Sequence, residues 1–213
     1  MVFTGDEFAD GGKTIADALE MNSIKASFFL TGNFYKNPAF KSLIARLKAN
    51  GHYLAAHSDR HLLYTDWTKR DSLLVSEKEF KKDLRQNYKR MKSFKIRKTD
   101  AVYFLPPFEW YNKTISDWTI SLGLQLVNFS PGTRSAADYT YPGLPGYKSS
   151  EEIYQSILKY EQEDPNGLNG FILLTHIGTD ERRTDKFYVR LNALIEELKS
   201  LGYAFVRIDE LLN

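Results

Sequence analysis

The chain has 213 residues, 42% hydrophobic and 26% charged, which suits one globular domain with a sizeable core. Its 29 basic and 27 acidic residues leave a formal charge of +2, too weak a field to argue for nucleic acid or an anionic membrane. Zero cysteines exclude disulfides, thiolate ligands and a cysteine nucleophile, and no apolar run approaches the roughly 20 residues of a membrane helix.

Short apolar runs alternate with longer stretches of helical period, the pattern of a parallel sheet or barrel with outer helices. Val2–Thr4 reads as the first strand and ends in "GDEFADGG", where Asp6, Glu7 and Asp10 crowd together. Adjacent carboxylates raise one another's pKa, so the cluster implies either a solvated turn or a facing cation. A strand already under way at residue 2 leaves room for a preceding export segment, although no signal peptide stands before it.

Ile15, Ala18 and Leu19 form one face of a first helix, followed by the strand Ala26–Leu30. Phe40, Leu43, Ile44 and Leu47 form a second helix that stops at Asn50–Gly51, before the strand Tyr53–Ala56. A lysine- and arginine-rich helix is expected near Ser76–Phe94; interspersed acids make its charges a solvated face rather than a nucleic-acid patch. Strands at Ala101–Phe104, Leu124–Asn128, Gly170–Leu174 and Tyr203–Ile208 alternate with helices at Tyr111–Leu122, Glu151–Tyr160 and Lys186–Leu201. Residues 130 to 150, rich in Pro, Gly, Ser and Tyr, form a long loop of the kind that is functional or mobile. Seven strand signals suit a barrel with fewer than eight strands, with a doubly wound sheet as the alternative.

Three of the four histidines stand in "GHYLAAHSDRH". His57 and His61, four apart, can converge on one cation from a turn or tight loop; two solvated surface histidines are the plainer reading. In a parallel sheet, the pair, the opening carboxylates, His176 after "GFILLT", and Glu109 and Trp110 after Pro106–Pro107 all follow strand ends on one rim. Tyr64, Trp67, Trp110, Tyr111, Tyr139 and Tyr141 are expected on the same rim, where aromatic faces stack on sugars.

In this order the motifs resemble the polysaccharide deacetylases, the NodB-homology or carbohydrate esterase family 4 proteins, over essentially the whole chain. "HSDRH" is similar to the family's His-Ser/Thr-x-x-His metal motif. "KASFFLTG" resembles its second strand, "LPPFEWYN" its Arg-Pro-Pro-Tyr-Gly-x-x-Asn motif, and "ILLTH" its Leu-x-x-His motif. The resemblance implies a distorted (β/α)7 barrel spanning residues 1–213 and a metal-dependent hydrolase that removes acetyl groups from an acetylated glycan. It also implies a divalent metal held by two histidines and a carboxylate, Zn2+ before Co2+ or Ni2+, and an extracytoplasmic location.

Matching the family's Thr-Phe-Asp-Asp to "TGDE" makes Asp6 the base and Glu7 the metal ligand with His57 and His61. A slide of one residue puts Asp6 on the metal and Gly5 at the base; matching "FADG" puts Asp10 on the metal. The first register keeps Thr4 in place and gives both carboxylates roles. The resemblance further implies His176 as the acid; Pro107, Glu109 and Trp110 on the same rim are expected as substrate contacts, and Glu109, which stands where the family has Gly, could instead supply a substitute carboxylate. Leu105 stands where the family has the arginine that pairs with the base, and Asp138 is a distant candidate to support His176. Those departures support a second hypothesis, a catalytically impaired carbohydrate-binding or regulatory protein on the same scaffold. A metal hydrolase for a non-sugar amide is a third.

Overall fold

The computed structural model describes residues 1–212. Six strands form one parallel sheet in the order β5-β4-β3-β2-β1-β6. They are β1 (Val2–Gly5), β2 (Ser27–Leu30), β3 (Tyr53–Ala56), β4 (Tyr103–Phe104), β5 (Gln125–Leu126) and β6 (Leu174–His176). The helices are α1 (Gly12–Met21), α2 (Gly32–Lys36), α3 (Lys41–Ala49), α4 (Glu77–Lys92), α5 (Lys113–Ser121), α6 (Ser150–Glu163), α7 (Leu191–Ser200) and α8 (Ile208–Leu211). This is the α/β alternation expected, with parallel strands flanked by helices.

Strands β1, β2 and β3 are buried on both faces, as continuous apolar runs in a helix-covered parallel sheet must be. Phe3 stacks on Phe28 at 5.0 Å between ring centroids, tying β1 to β2 within the core. Helix α4 is the most polar, yet Phe80, Leu84 and Met91 are buried along one stripe, so its charges form the solvated face expected. Ser76 and Glu79 form a reciprocal capping box at its start.

Residues Tyr203–Ile208 were expected as a seventh strand but join no ladder among the described residues. The Ile208 amide donates to the Ser27 hydroxyl, and Arg207 donates to the Gly51 carbonyl, so the segment is anchored to loops and a side chain. The edges β5 and β6 are bridged instead by two bonds: Ser130 N to Ile172 O and Ile172 N to Ser130 Oγ, both 3.0 Å. Ladder pairing of the sixth strand begins at Leu174, later than the expected Gly170, and includes His176 itself, opposite Thr4.

Register decides the rim. Gly5 pairs with Leu30, Leu30 with Ala56, and Ala56 with Phe104. The next residues, Asp6, Thr31, His57 and Leu105, therefore leave their strands at one level. The 130–150 loop is drawn inward by Arg183, a fully buried side chain whose guanidinium donates to the Thr140 and Lys148 carbonyls and the Ser150 hydroxyl. A turn of 3-10 helix at Ser135–Tyr139 lies within it and presents Asp138 to β6.

Candidate active site

A cavity of about 550 Å3 opens at the carboxyl ends of the strands, with Asp6, Glu7, His57, His61, Glu109 and His176 in its wall. Ligands in parallel α/β proteins bind at this end, because the loops that follow the strands supply side chains from several elements.

His57 follows β3 and is 2% exposed. Its Nδ1 lies 2.7 Å from the Leu105 carbonyl oxygen, which can only accept, so Nδ1 carries the proton and Nε2 keeps its lone pair. Burial holds its pKa well below the usual histidine range, with the neighbouring His61 adding to the effect. The two rings lie 5.1 Å apart between centroids. His61 reaches this place through a left-handed backbone, φ 54°, in a tight loop rather than on a helix.

That loop is held from beneath by α4. Asp83 accepts from the Ser58 hydroxyl at 2.6 Å and from the backbone amides of Asp59 and Arg60, while Asn87 accepts from the His57 amide at 3.0 Å. Gly32 packs against the same loop: a Cβ there would overlap the Asp59 carboxylate and lie 2.9 Å from its Cα. Asp83, Asn87 and Gly32 were not singled out from the sequence. Their one signal is that Asp83 and Asn87 interrupt the apolar stripe of α4 at core-facing positions.

Asp6 is half-buried, and its Oδ1 accepts from the Thr31 hydroxyl at 2.7 Å and the Asn33 amide at 3.0 Å. Its negative charge opposes the burial that lowers the His61 pKa, which brings Asp6 within electrostatic reach of the histidine pair. Leu105 is fully buried in the core, so no arginine stands at that position to hold Asp6. Asp10 is committed elsewhere: it accepts from the Thr179 amide at 2.8 Å and the Tyr188 hydroxyl at 2.9 Å and pairs with Lys186 at 2.8 Å. Burial raises its pKa, but these partners together hold it below the usual carboxylate value. Glu7 is exposed at the cavity mouth.

His176 ends β6. Its backbone amide donates to Asp138 Oδ2 at 2.8 Å and its Nδ1 meets Asp138 Oδ1 at 2.6 Å. Burial pulls the imidazole pKa down, but the charge and hydrogen bond of Asp138, with a smaller contribution from Glu109, push it above the ordinary value. Asp138, remote in sequence, is thus the residue that fixes His176 through Nδ1 and frees Nε2. Thr4, paired with His176 across the sheet, lines the cavity with a buried hydroxyl that has no hydrogen-bond partner among the described residues.

The aromatic residues divide. Trp67 is exposed and lies 5.4 Å from Phe108 and 5.8 Å from Trp110, between centroids; Arg70 stacks over Trp110 at 4.1 Å. Tyr139 and Tyr141 stand in the cavity wall. Tyr64, expected on this rim, is buried against Phe80 and Phe104. Pro107 is buried at the start of the turn that carries Glu109, and Asn112 caps α5 by accepting from the Ile115 amide.

His57 and His61 present the chemistry a divalent cation takes, two close imidazoles with one Nε2 lone pair fixed by its tautomer. Among the described residues, no group of three His, Asp or Glu side chains gathers closely enough to hold an ion.

The sequence model described as polysaccharide deacetylase matches residues 5–127, more than half of the chain. The chain belongs to the polysaccharide deacetylase family. This polysaccharide deacetylase homologue is 25% identical over 200 residues to the peptidoglycan-N-acetylglucosamine deacetylase of Bacillus cereus, covering 93% of this chain and 80% of the relative. It is 28% identical over 213 residues to the peptidoglycan-N-acetylmuramic acid deacetylase PdaA of Bacillus subtilis, covering 98% and 70%. The solved structure of PdaA, a family 4 carbohydrate esterase, superimposes with a TM-score of 0.73 at 24% identity, over 99% of this chain and 78% of that one. A family 4 pseudoenzyme from Bacillus anthracis superimposes with a TM-score of 0.71 at 17% identity, over 100% and 65%. At such identities the structural likeness shows the NodB-type α/β fold.

Proposed function

We propose that this polysaccharide deacetylase homologue is a metal-dependent hydrolase that removes acetyl groups from a glycan. The observation that carries the reading is one cavity with Asp6 and a His57–His61 pair in its wall together with a His176 fixed by a buried Asp138. The family match supports the reaction class.

In this reading Asp6 is the base. Thr31 and Asn33 hold its Oδ1, which leaves Oδ2 to take a proton from water as the oxygen attacks the acetyl carbonyl carbon. As the tetrahedral intermediate collapses, the bond from carbon to the leaving nitrogen or oxygen breaks, and the His176 imidazolium gives its Nε2 proton to that atom. Asp138 keeps the ring oriented and favours the charged form that can donate. His57 and His61 would hold the metal, and imidazole donors suit Zn2+, Co2+ or Ni2+; Glu7, exposed at the cavity mouth and not gathered with them, would have to swing inward to serve as the carboxylate ligand. Held there, a divalent cation would supply polarisation of the acetyl oxygen and acidification of water.

Trp67, Phe108 and Trp110 form an apolar face beside the cavity, suited to the C–H face of a sugar ring, and Pro107 and Glu109 shape the turn that presents it. The peptidoglycan activities named for both curated relatives support a glycan substrate and an extracytoplasmic location. No described helix is long and apolar enough to cross a membrane.

The test is acetate release from a panel of N-acetylated oligosaccharides, peptidoglycan and O-acetylated xylan. Release that stops on chelation and returns with Zn2+ is expected. Failure to bind any divalent cation, with no acetate from any substrate, overturns the proposal; glycan binding without acetate release would indicate a binding protein on this scaffold.

A further inference from the structure

β1 ends at Gly5 and α1 begins at Gly12; residues 6–11 join them and carry Asp6 and Glu7. The exit of β6, just after His176, runs beside this loop. The Ile177 amide donates to the Thr4 carbonyl at 2.8 Å, which prolongs the ladder by one bond. At Gly178 the two backbones touch: a Cβ there would lie 2.4 Å from both the Phe8 carbonyl carbon and the Ala9 nitrogen, so only glycine fits.

Beyond this contact the loop is fastened by Asp10. Its Oδ1 accepts from the amide of buried Thr179 at 2.8 Å, and its Oδ2 accepts from the Tyr188 hydroxyl at 2.9 Å and pairs with Lys186 Nζ at 2.8 Å. Lys186 is itself fixed: it donates to the Thr179 carbonyl and hydroxyl at 2.9 Å and to the Asp180 carbonyl at 3.0 Å. Its side chain is 16% exposed and that of Asp10 38%, so the pair is partly shielded from the solvent that makes open surface pairs weak. The His57–His61 loop is braced separately, by Asp83 and Asn87 of α4.

We propose that Asp10 is a positioning residue: clasped by Thr179, Lys186 and Tyr188, it fixes the loop that carries Asp6 against the strand end that carries His176, and so sets the spacing of base and acid. This rests on the deacetylase reading for its effect on catalysis; the joining of the two segments does not. The hydrogen bonds of Asp10 go to neither Asp6 nor His176, so it acts through the backbone between them. One end of the loop is held by Gly5, in register with Leu30 in the ladder, and the other by the clasp. Loss of Asp10 frees that second end. A displacement of about 1 Å between reacting groups can cost on the order of 100-fold in rate, which makes the spacing worth a dedicated ion pair. The third of the opening carboxylates thereby has a role that needs no cation.

The test compares the full chain with Asp10→Asn, Lys186→Met, the double variant and the milder Tyr188→Phe. Amide hydrogen exchange, followed by NMR, should speed up by about 10-fold or more at Ile177, which is bonded to β1 rather than to Asp10. It should stay within about twofold at His57, whose brace is α4. In acetate release by protein shown to be folded at the assay temperature, kcat should fall by about 10- to 100-fold while KM stays within about twofold. The double variant should lose about as much as the worse single variant, as two halves of one clasp must, and Tyr188→Phe should fall between wild type and Asp10→Asn. Wild-type exchange at Ile177 in folded Asp10→Asn and Lys186→Met overturns the proposal, as does an unchanged kcat in a variant whose Ile177 exchange has risen. If the charge variants do not fold, the same two readings decide on Tyr188→Phe. Absence of acetate release from the wild type would sink the deacetylase reading alone, because exchange needs no turnover.

Discussion

Asp138→Asn tests the acid side of the site. Asp138 is 2% exposed and accepts two hydrogen bonds from His176, one from the backbone amide and one from Nδ1. An asparagine oxygen can still accept from Nδ1, but the amide nitrogen then faces the His176 amide as a second donor, and the charge is gone. A hydrogen bond to a charged group contributes about 1.5–3 kcal/mol, so kcat should fall by about 10- to 150-fold at neutral pH. Because Asp138 raises the His176 pKa, its loss must lower it, and the alkaline limb of the pH–rate profile should move to lower pH. The stability consequence has the matching sign. A histidine whose folded pKa exceeds its unfolded value stabilises the fold fully below the unfolded pKa, and that contribution is lost as pH rises through the folded pKa. The variant should therefore lose more stability at pH 5 than at pH 9, measured by denaturant unfolding. A rate within twofold of wild type with an unmoved alkaline limb would refute the role assigned to Asp138.

Gly32→Ala should destabilise the fold by about 1–3 kcal/mol, read by thermal unfolding, since its Cβ meets Asp59 in the loop that carries His57 and His61; under the proposed function it should also weaken Zn2+ binding, read by titration. Trp67→Ala should weaken glycan binding by about 3- to 10-fold, read by isothermal titration, while leaving the midpoint of thermal unfolding within about 2 °C, because this tryptophan is 54% exposed. Unchanged affinity would remove Trp67 from the sugar-binding face.

The sequence by itself determined the alternation of strands and helices, because three buried strands are continuous apolar runs and α1, α3, α4 and α7 carry periodic apolar faces. It also placed His57, His61, Asp6 and His176 just at or after strand ends, which a parallel sheet converts into one rim. What it could not settle lies in contacts between distant segments. Tyr203–Ile208 has the composition of a strand, yet it is anchored by Ser27 and Gly51, and the Ser130–Ile172 bonds join the sheet edges. Tyr64 looked like a rim aromatic until Phe80 and Phe104 closed around it.

The three opening carboxylates show the division most directly. Their crowding was legible at once; which of them is free was decided by tertiary structure. Asp10 is occupied by Lys186, Tyr188 and the Thr179 amide, all nearly the whole chain away, while Asp6 is held by Thr31 and Asn33 on the next strand end. Asp138, only a distant candidate from the sequence, needed the same long-range information: 38 positions separate it from His176, and its loop is held by buried Arg183, by the Arg134 amide on Ser156 and by Tyr139 packed on His176. Residue type and local period are written in the sequence. Burial, hydrogen-bond partners and the resulting proton affinities belong to the folded chain, because they depend on which distant groups share a low-dielectric space.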